Sequence, residues 1–295
     1  LRFDNSMEGI QDLIPVIQKY ELYLRKKTPL FTLFMILSLQ HKNALIGGAS
    51  AGIGKATAIE LALLGANVTL IARTESSLQA ALSELDTSLG QQHTYIIADY
   101  AQRDDLLQKV QALVAQRPIH ILINNTGGPP GGPLTEATPA ALLDAYYNHL
   151  ICNQLLAQAV LSGMKTAGYG RIVNIISTSV KEPLDNLGVS NTTRWAVAGW
   201  AKTWANEVGP FGITVNNVLP GYTSTGRLDE IIGKRSAAQG MDAHTIAEQF
   251  KAHVPLRRFA DPSEVAAAVA FLASPAAGYI NGVNLPVDGG RTRSL

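Results

Sequence analysis

The chain has 295 residues, 46% of them hydrophobic and 16% charged, with a formal net charge of +1. That balance supplies apolar surface for a large core and argues against disorder. The near-neutral charge, without any basic run interleaved with aromatics, argues against a nucleic-acid partner. A single cysteine, Cys152, excludes an intrachain disulfide and points to a reducing, cytoplasmic setting.

Residues 1–38 read as an N-terminal extension outside the fold, and residues 39–295 as one folded domain. Arg25-Lys26-Lys27 followed by the apolar run Leu30 to Leu39 has the outline of a signal peptide, but the run is too short to span a bilayer. No small-residue cleavage site precedes the first strand, so no membrane partner is expected.

Residues 44–46 read as the end of a buried strand that turns through glycines into a helix. The turn is Gly47-Gly48-Ala49-Ser50-Ala51-Gly52-Ile53-Gly54, and from Lys55 to Leu64 apolar residues recur at helical spacing until Gly65 stops them. Gly48, Gly52 and Gly54 leave the backbone bare, so a ligand can approach it closely. The N–H groups of the first helical turn have no internal partner and sit at the positive end of the helix dipole, which suits a phosphate. A lone glycine-rich loop is equally well a plain tight turn. The next segment decides: Asn67–Ala72 is a second buried strand, and strand, loop, helix and strand together make a βαβ dinucleotide unit. An acidic residue at the end of that second strand would hold a ribose 2′-hydroxyl. Arg73 stands there instead and suits a 2′-phosphate, so the cofactor is expected to be NADP(H).

A helix over 75–89, a strand from Thr94 to Ala98 ending at Asp99, a helix over 103–116 and a strand from Ile119 to Ile123 follow. Strands alternating with helices predict an α/β fold: one doubly wound Rossmann-type domain with a parallel sheet and helices on both faces. Ligands on such sheets sit at the carboxyl ends of the strands, where Gly48, Arg73, Asp99 and Asn125 all fall. The loop Gly127-Gly128-Pro129-Pro130-Gly131-Gly132-Pro133 is held non-helical by its prolines and either walls a pocket or merely connects two elements. Residues 222–253 read as helical but interrupted by Gly226, Gly233 and Gly240, in the manner of a lid.

Over nearly all of residues 39–290 the sequence resembles the short-chain dehydrogenase/reductase family, in particular its β-ketoacyl reductase-like members. The family's Thr-Gly-x-x-x-Gly-Ile-Gly loop is matched by residues 47–54, with Gly47 in place of the threonine. Asn124-Asn125-Thr126-Gly127 is similar to its Asn-Asn-Ala-Gly, Asp99 to the aspartate that meets the adenine, and residues 170–177 to the strand ending in its catalytic serine. Residues 212–221 resemble the strand and turn beside the nicotinamide, and Val287-Asp288-Gly289-Gly290 the C-terminal signature. The resemblance implies an oxidoreductase that acts on a small carbonyl or alcohol substrate and assembles as a homodimer or homotetramer. It also implies that NADP(H) is held by Gly48, Ser50, Gly52, Ile53, Gly54, Arg73, Asp99, Asn125, Arg194, Pro220, Gly221 and Thr223. No metal site is implied.

The catalytic positions depart from the family pattern. Its Tyr-x-x-x-Lys pair falls on Ser190 and Arg194, its serine on Ser177, and its helical asparagine on His149. Ser190 and Arg194 are four residues apart on a helix and share a face. Arg194 stays protonated and can orient the cofactor, but it is a poor proton donor. A serine hydroxyl is a weak general acid unless activated. Two readings follow. In one, Ser177 and Ser190 hydrogen-bond a carbonyl oxygen while His149, whose ordinary pKa suits proton transfer near neutrality, supplies the proton, with Tyr222 as the next donor candidate. In the other, the chain binds NADP(H) as a non-catalytic or regulatory protein.

Overall fold

Strands β1 (Asn43–Gly47) and β4 (Ile121–Asn124) each carry an unbroken run of apolar residues, and the pleat sends alternate ones to opposite faces. On β1 Ala44 and Ile46 enter one buried cluster and Leu45 the other; on β4 Ile121 and Ile123 part from Leu122 in the same way. A strand apolar on both faces must be covered on both, and only a helix-flanked parallel sheet does this. In the computed structural model, which describes residues 35–294, these strands join β2 (Asn67–Ala72), β3 (Thr94–Ile97), β5 (Gly170–Ile175), β6 (Ile213–Pro220) and β7 (Asn284–Val287). All pairings in the seven-stranded sheet are parallel, in the order β3-β2-β1-β4-β5-β6-β7. The expected doubly wound α/β fold is therefore present. Leu39 is fully buried and donates its N–H to the Leu64 carbonyl at 2.7 Å. The reading of residues 1–38 as an extension lies, over residues 1–34, outside the described residues.

One face is covered by α1 (Gly52–Leu63), α2 (Glu75–Leu82) and, much later in the chain, α9 (Pro262–Ala273). The other is covered by α3 (Arg103–Gln116), α5 (Cys152–Ala167) and α6 (Gly188–Val208). Between α3 and α5 the chain forms α4 (Pro139–Tyr146) and a π turn (Tyr147–Ile151) that passes directly into α5. Thr138 caps α4 by accepting the Ala141 N–H. Helix α2 ends at Leu82 rather than near residue 89. Asp86 Oδ1 accepts the Ser88 N–H at 2.6 Å, and Gly90 turns the chain at φ 82°, so local side-chain bonding displaces the helix. The stretch 222–253 forms α7 (Gly226–Gln239) and α8 (Ala243–Ala252). Gly226 opens α7, Gly240 closes it in the left-handed conformation, and Gly233 does not interrupt it.

A ladder of asparagines runs across the sheet just below its carboxyl edge. Asn124 Nδ2 donates to Asn174 Oδ1 (2.8 Å), Asn174 Nδ2 to Asn217 Oδ1 (2.8 Å), and Asn217 Nδ2 to Asn284 Oδ1 (2.7 Å). The strand register places these residues opposite one another on β4, β5, β6 and β7. Each inner amide thus finds a partner without water, and the row ends at Asn124 Oδ1, which has none. Among the described residues no helix is long and apolar enough to cross a membrane, and no cluster of His, Cys, Asp or Glu could hold a metal ion.

Candidate active site

Sheet order reverses between β1 and β4, and the crevice beyond their carboxyl ends is where an open α/β sheet binds ligands. The glycine loop follows β1 into that crevice. Gly48 (φ 57°) and Gly52 (φ 56°) adopt the left-handed conformation, and a Cβ on Gly54 would overlap the Gly48 carbonyl oxygen. Asn125, at the end of β4, clamps the loop by donating to the Gly47 and Gly48 carbonyls at 3.1 and 3.3 Å. Ser50 and Ile53 sit half-buried within the loop. Across it lies Thr225, the residue before α7, whose Cγ2 would stand 3.2 Å from a Cβ on Gly52. Thr225 is not among the residues the sequence motifs single out, whereas Thr223 is. Thr225 precedes α7 and meets the glycine loop only once the chain has folded. Thr223 is buried and donates to the Gly221 carbonyl at 3.2 Å.

The residues on the adenosine side fit a dinucleotide bearing a 2′-phosphate. Ile71 pairs with Gly47, so Arg73 lies just beyond the loop; it is exposed and makes no ion pair among the described residues. Asp99 accepts the Ala101 N–H through Oδ1 at 3.0 Å, leaving Oδ2 without a protein partner among the described residues. Exchanging Arg73 for aspartate removes a phosphate partner and adds repulsion. Arg73→Asp is expected to weaken NADP(H) binding at least tenfold more than NAD(H) binding, the scale set by a single charge-assisted hydrogen bond. Calorimetric titration with both cofactors checks this, and equal losses would refute the assignment.

Gly47, where the family pattern has threonine, has a physical counterpart in Tyr100. A Cβ on Gly47 would overlap the Tyr100 hydroxyl and come within 2.7 Å of the Asn125 carbonyl oxygen. The missing side chain makes room for the tyrosine under the loop, where its hydroxyl is buried without a partner and burial pushes its pKa up. Gly47→Thr alone is expected to destabilise the fold by about 1–3 kcal/mol, as overpacking does. Thermal melting should show part of that loss recovered when Tyr100→Val is added.

Beyond the carboxyl end of β5, Ser177 opens a short 3-10 turn, with its Oγ accepting the Ser179 N–H at 3.0 Å. That bond uses a lone pair and leaves the hydroxyl proton free to donate. Ser190 and Arg194 lie in the first half of α6. Arg194 is 7% exposed and its Nη1 donates to the Ile175 carbonyl at 3.3 Å, which brings the guanidinium to the strand end that carries Ser177. Burial first, then Arg227, pushes its pKa down to about 10, so it remains a cation at neutral pH.

His149 lies in the π turn, a distortion that often marks functional positions in helices. It is 2% exposed, and its Nδ1 lies 2.5 Å from Thr126 Oγ1. Burial, with Arg194 as the second cause, pushes its pKa down to about 2, so the imidazole is neutral. Its Nε2 has no hydrogen-bond partner among the described residues. The ring borders a cavity of about 510 Å³, walled by Gly127–Pro133 and by Ala141, Ala145 and Asn148 of the α4–π segment. The proline loop therefore walls a cavity. Pro220 ends β6, and Gly221 after it packs against Asp288 too closely for any side chain. Tyr222 is taken up elsewhere: its ring stacks on Phe250 at 4.8 Å and lies under Arg291 at 4.7 Å.

Residues 48–292 match the family described as Enoyl-(Acyl carrier protein) reductase. The chain is 34% identical over 278 residues to a cyclohexanol dehydrogenase of a Rhodococcus species, covering 88% of this chain and 98% of that one. It is 35% identical over 257 residues to a 3-oxoacyl-[acyl-carrier-protein] reductase of Vibrio cholerae, covering 86% and 98%. Among solved structures, L-sorbose reductase from Gluconobacter frateurii, complexed with NADPH and L-sorbose, superposes with a TM-score of 0.83. It is 29% identical, covering 88% of this chain and 100% of that one. The chain belongs to the short-chain dehydrogenase/reductase family, as an oxidoreductase that uses NADP(H).

Proposed function

We propose that the chain reduces a carbonyl compound of the 3-oxoacyl thioester or related ketone class, or oxidises the matching alcohol, with Ser177, Ser190, His149 and Arg194 as its working residues. The observation that carries this reading is Arg194, a buried cation anchored on the Ile175 carbonyl beside Ser177, with His149 close enough to feel its charge. Bound NADPH supplies the hydride. The chain must then stabilise negative charge on the carbonyl oxygen and deliver a proton to it. The free hydroxyl proton of Ser177 and that of Ser190 donate to the oxygen, each worth about 2–4 kcal/mol by the measure of other oxyanion donors. The Arg194 cation lowers the energy of the same charge in a dry site. His149 relays the proton as a neutral imidazole: Nε2–H donates to the oxygen while Nδ1 takes the hydroxyl proton of Thr126, which solvent from the adjoining cavity replaces.

The same reading has the protein in the cytoplasm as a homodimer or homotetramer. Its support is the buried lone thiol of Cys152, and Leu143, Tyr146, Tyr147 and Trp195, which are exposed on or beside the neighbouring helices α4 and α6. Oxidation of NADPH by the purified protein against a panel of ketones and 3-oxoacyl thioesters, with dinucleotide binding titrated in parallel, tests the function. Turnover of at least one compound is expected. Tight NADP(H) binding with no turnover across the panel would instead favour the non-catalytic, regulatory reading.

A further inference from the structure

Among the described residues nothing neutralises the positive charge of Arg194. Its Nε has no hydrogen-bond partner, its Nη1 reaches only a backbone carbonyl, and no carboxylate among the described residues pairs with it. A buried cation left in that state is strongly unfavourable unless an anion joins it. Its charged neighbour is another cation. Arg227, in the first turn of α7, donates through Nη2 to the Pro129 carbonyl at 2.7 Å and so ties that helix to the proline loop. Its other arm pairs at 3.0 Å with Glu230 of the same helix, an exposed pair worth little in water.

The two guanidinium groups converge on one bare piece of backbone. A Cβ on Gly128 would lie 3.9 Å from Arg227 Nη2 and 4.0 Å from Arg194 Nη2, and one on Gly127 would meet nothing within 4 Å. Glycine at both positions therefore leaves space beside two forks of N–H donors. A guanidinium fork matches the two oxygens of a carboxylate, which the point charge of a lysine does not. The acids Glu136 and Asp144 border the neighbouring cavity but are exposed, so solvent screens them.

We propose that Arg194 and Arg227, with the bare Gly127–Gly128 backbone, form a subsite for a carboxylate carried by the carbonyl substrate, so that oxo acids are preferred over neutral ketones. This rests on the reductase reading above and narrows its ketone class. The alternative source of the anion is a phosphate of the cofactor, and the experiment separates the two.

The NADP+-saturated protein is titrated calorimetrically with a panel of 2-, 3- and 5-oxo acids and with the methyl ester of each. At least one acid is expected to bind tenfold or more tightly than its ester, and Arg227→Met should remove that preference. NADP+ is titrated in parallel into Arg227→Met and Arg194→Lys. Esters binding as well as acids throughout the panel would overturn the proposal. So would a tenfold loss of NADP+ affinity in Arg227→Met with the acid preference intact, which assigns the pair to the cofactor. The readout is binding, so an acid that binds selectively but is never reduced supports the subsite and counts against the reductase reading alone.

Discussion

Replacing His149 by alanine is expected to lower turnover about 10²–10⁴-fold while leaving NADP(H) affinity nearly unchanged, the range associated with removing a general acid–base group. The ring lies in the cavity wall with Nδ1 held by Thr126, so its removal breaks a proton path and leaves the glycine loop intact. Steady-state kinetics with a parallel cofactor titration checks this, and full activity in His149→Ala would assign the donor to another group. Thr126→Ala should reproduce part of the loss, because it frees the ring's orientation. The pH dependence carries its own sign. With its pKa held near 2 in the fold against about 6.5 unfolded, His149 binds a proton in the unfolded chain first. Acidification through pH 6.5 therefore withdraws stability, about 1.4 kcal/mol per pH unit for this group. Between pH 7 and pH 5 the wild-type protein should lose about 2 kcal/mol more than His149→Asn. His120 is shifted in the same direction by burial and Lys42, and comparing the two proteins cancels it. The turnover profile should likewise show no limb from His149 between pH 5 and pH 9.

Asn174→Val is expected to be the most destabilising single change in the sheet. Asn174 is fully buried, accepts from Asn124 and donates to Asn217, so valine leaves an amide donor and an amide acceptor stranded on either side. Each orphaned group costs about 1–3 kcal/mol. Urea denaturation should show a lower midpoint at an unchanged slope, since the area exposed on unfolding hardly changes. A total loss below about 1 kcal/mol would show that the ladder relaxes or admits water in place of its direct amide pairs. Because β4, β5 and β6 lead into Asn125, Ser177 and Pro220, the same variant should also weaken cofactor binding.

Most of the architecture is legible in the amino-acid order, because it is written in local patterns. Apolar runs on β1, β2 and β4 require cover on both faces, helical spacing separates them, and glycines 48, 52 and 54 mark the turn whose backbone must stay bare; β5 and β6 are legible through the family resemblance of residues 170–177 and 212–221. Arg73 follows from its place at the end of β2 alone. Periodicity extends helix α2 too far because the Asp86–Ser88 turn competes with helical bonding over a few residues, an energy too small for spacing to reveal. The asparagine ladder, Thr225 facing Gly52, Tyr100 under Gly47, and the meeting of Arg194 with Arg227 over Gly128 join residues far apart in the chain. Their positions depend on sheet register and on where α6 and α7 pack, and no local pattern encodes either. The ionisation of His149 belongs with them. As a residue type histidine suggests a proton donor near neutrality, but burial in the π turn beside Arg194 makes it a neutral imidazole, because a charge removed from water and set beside a like charge is the state the fold disfavours.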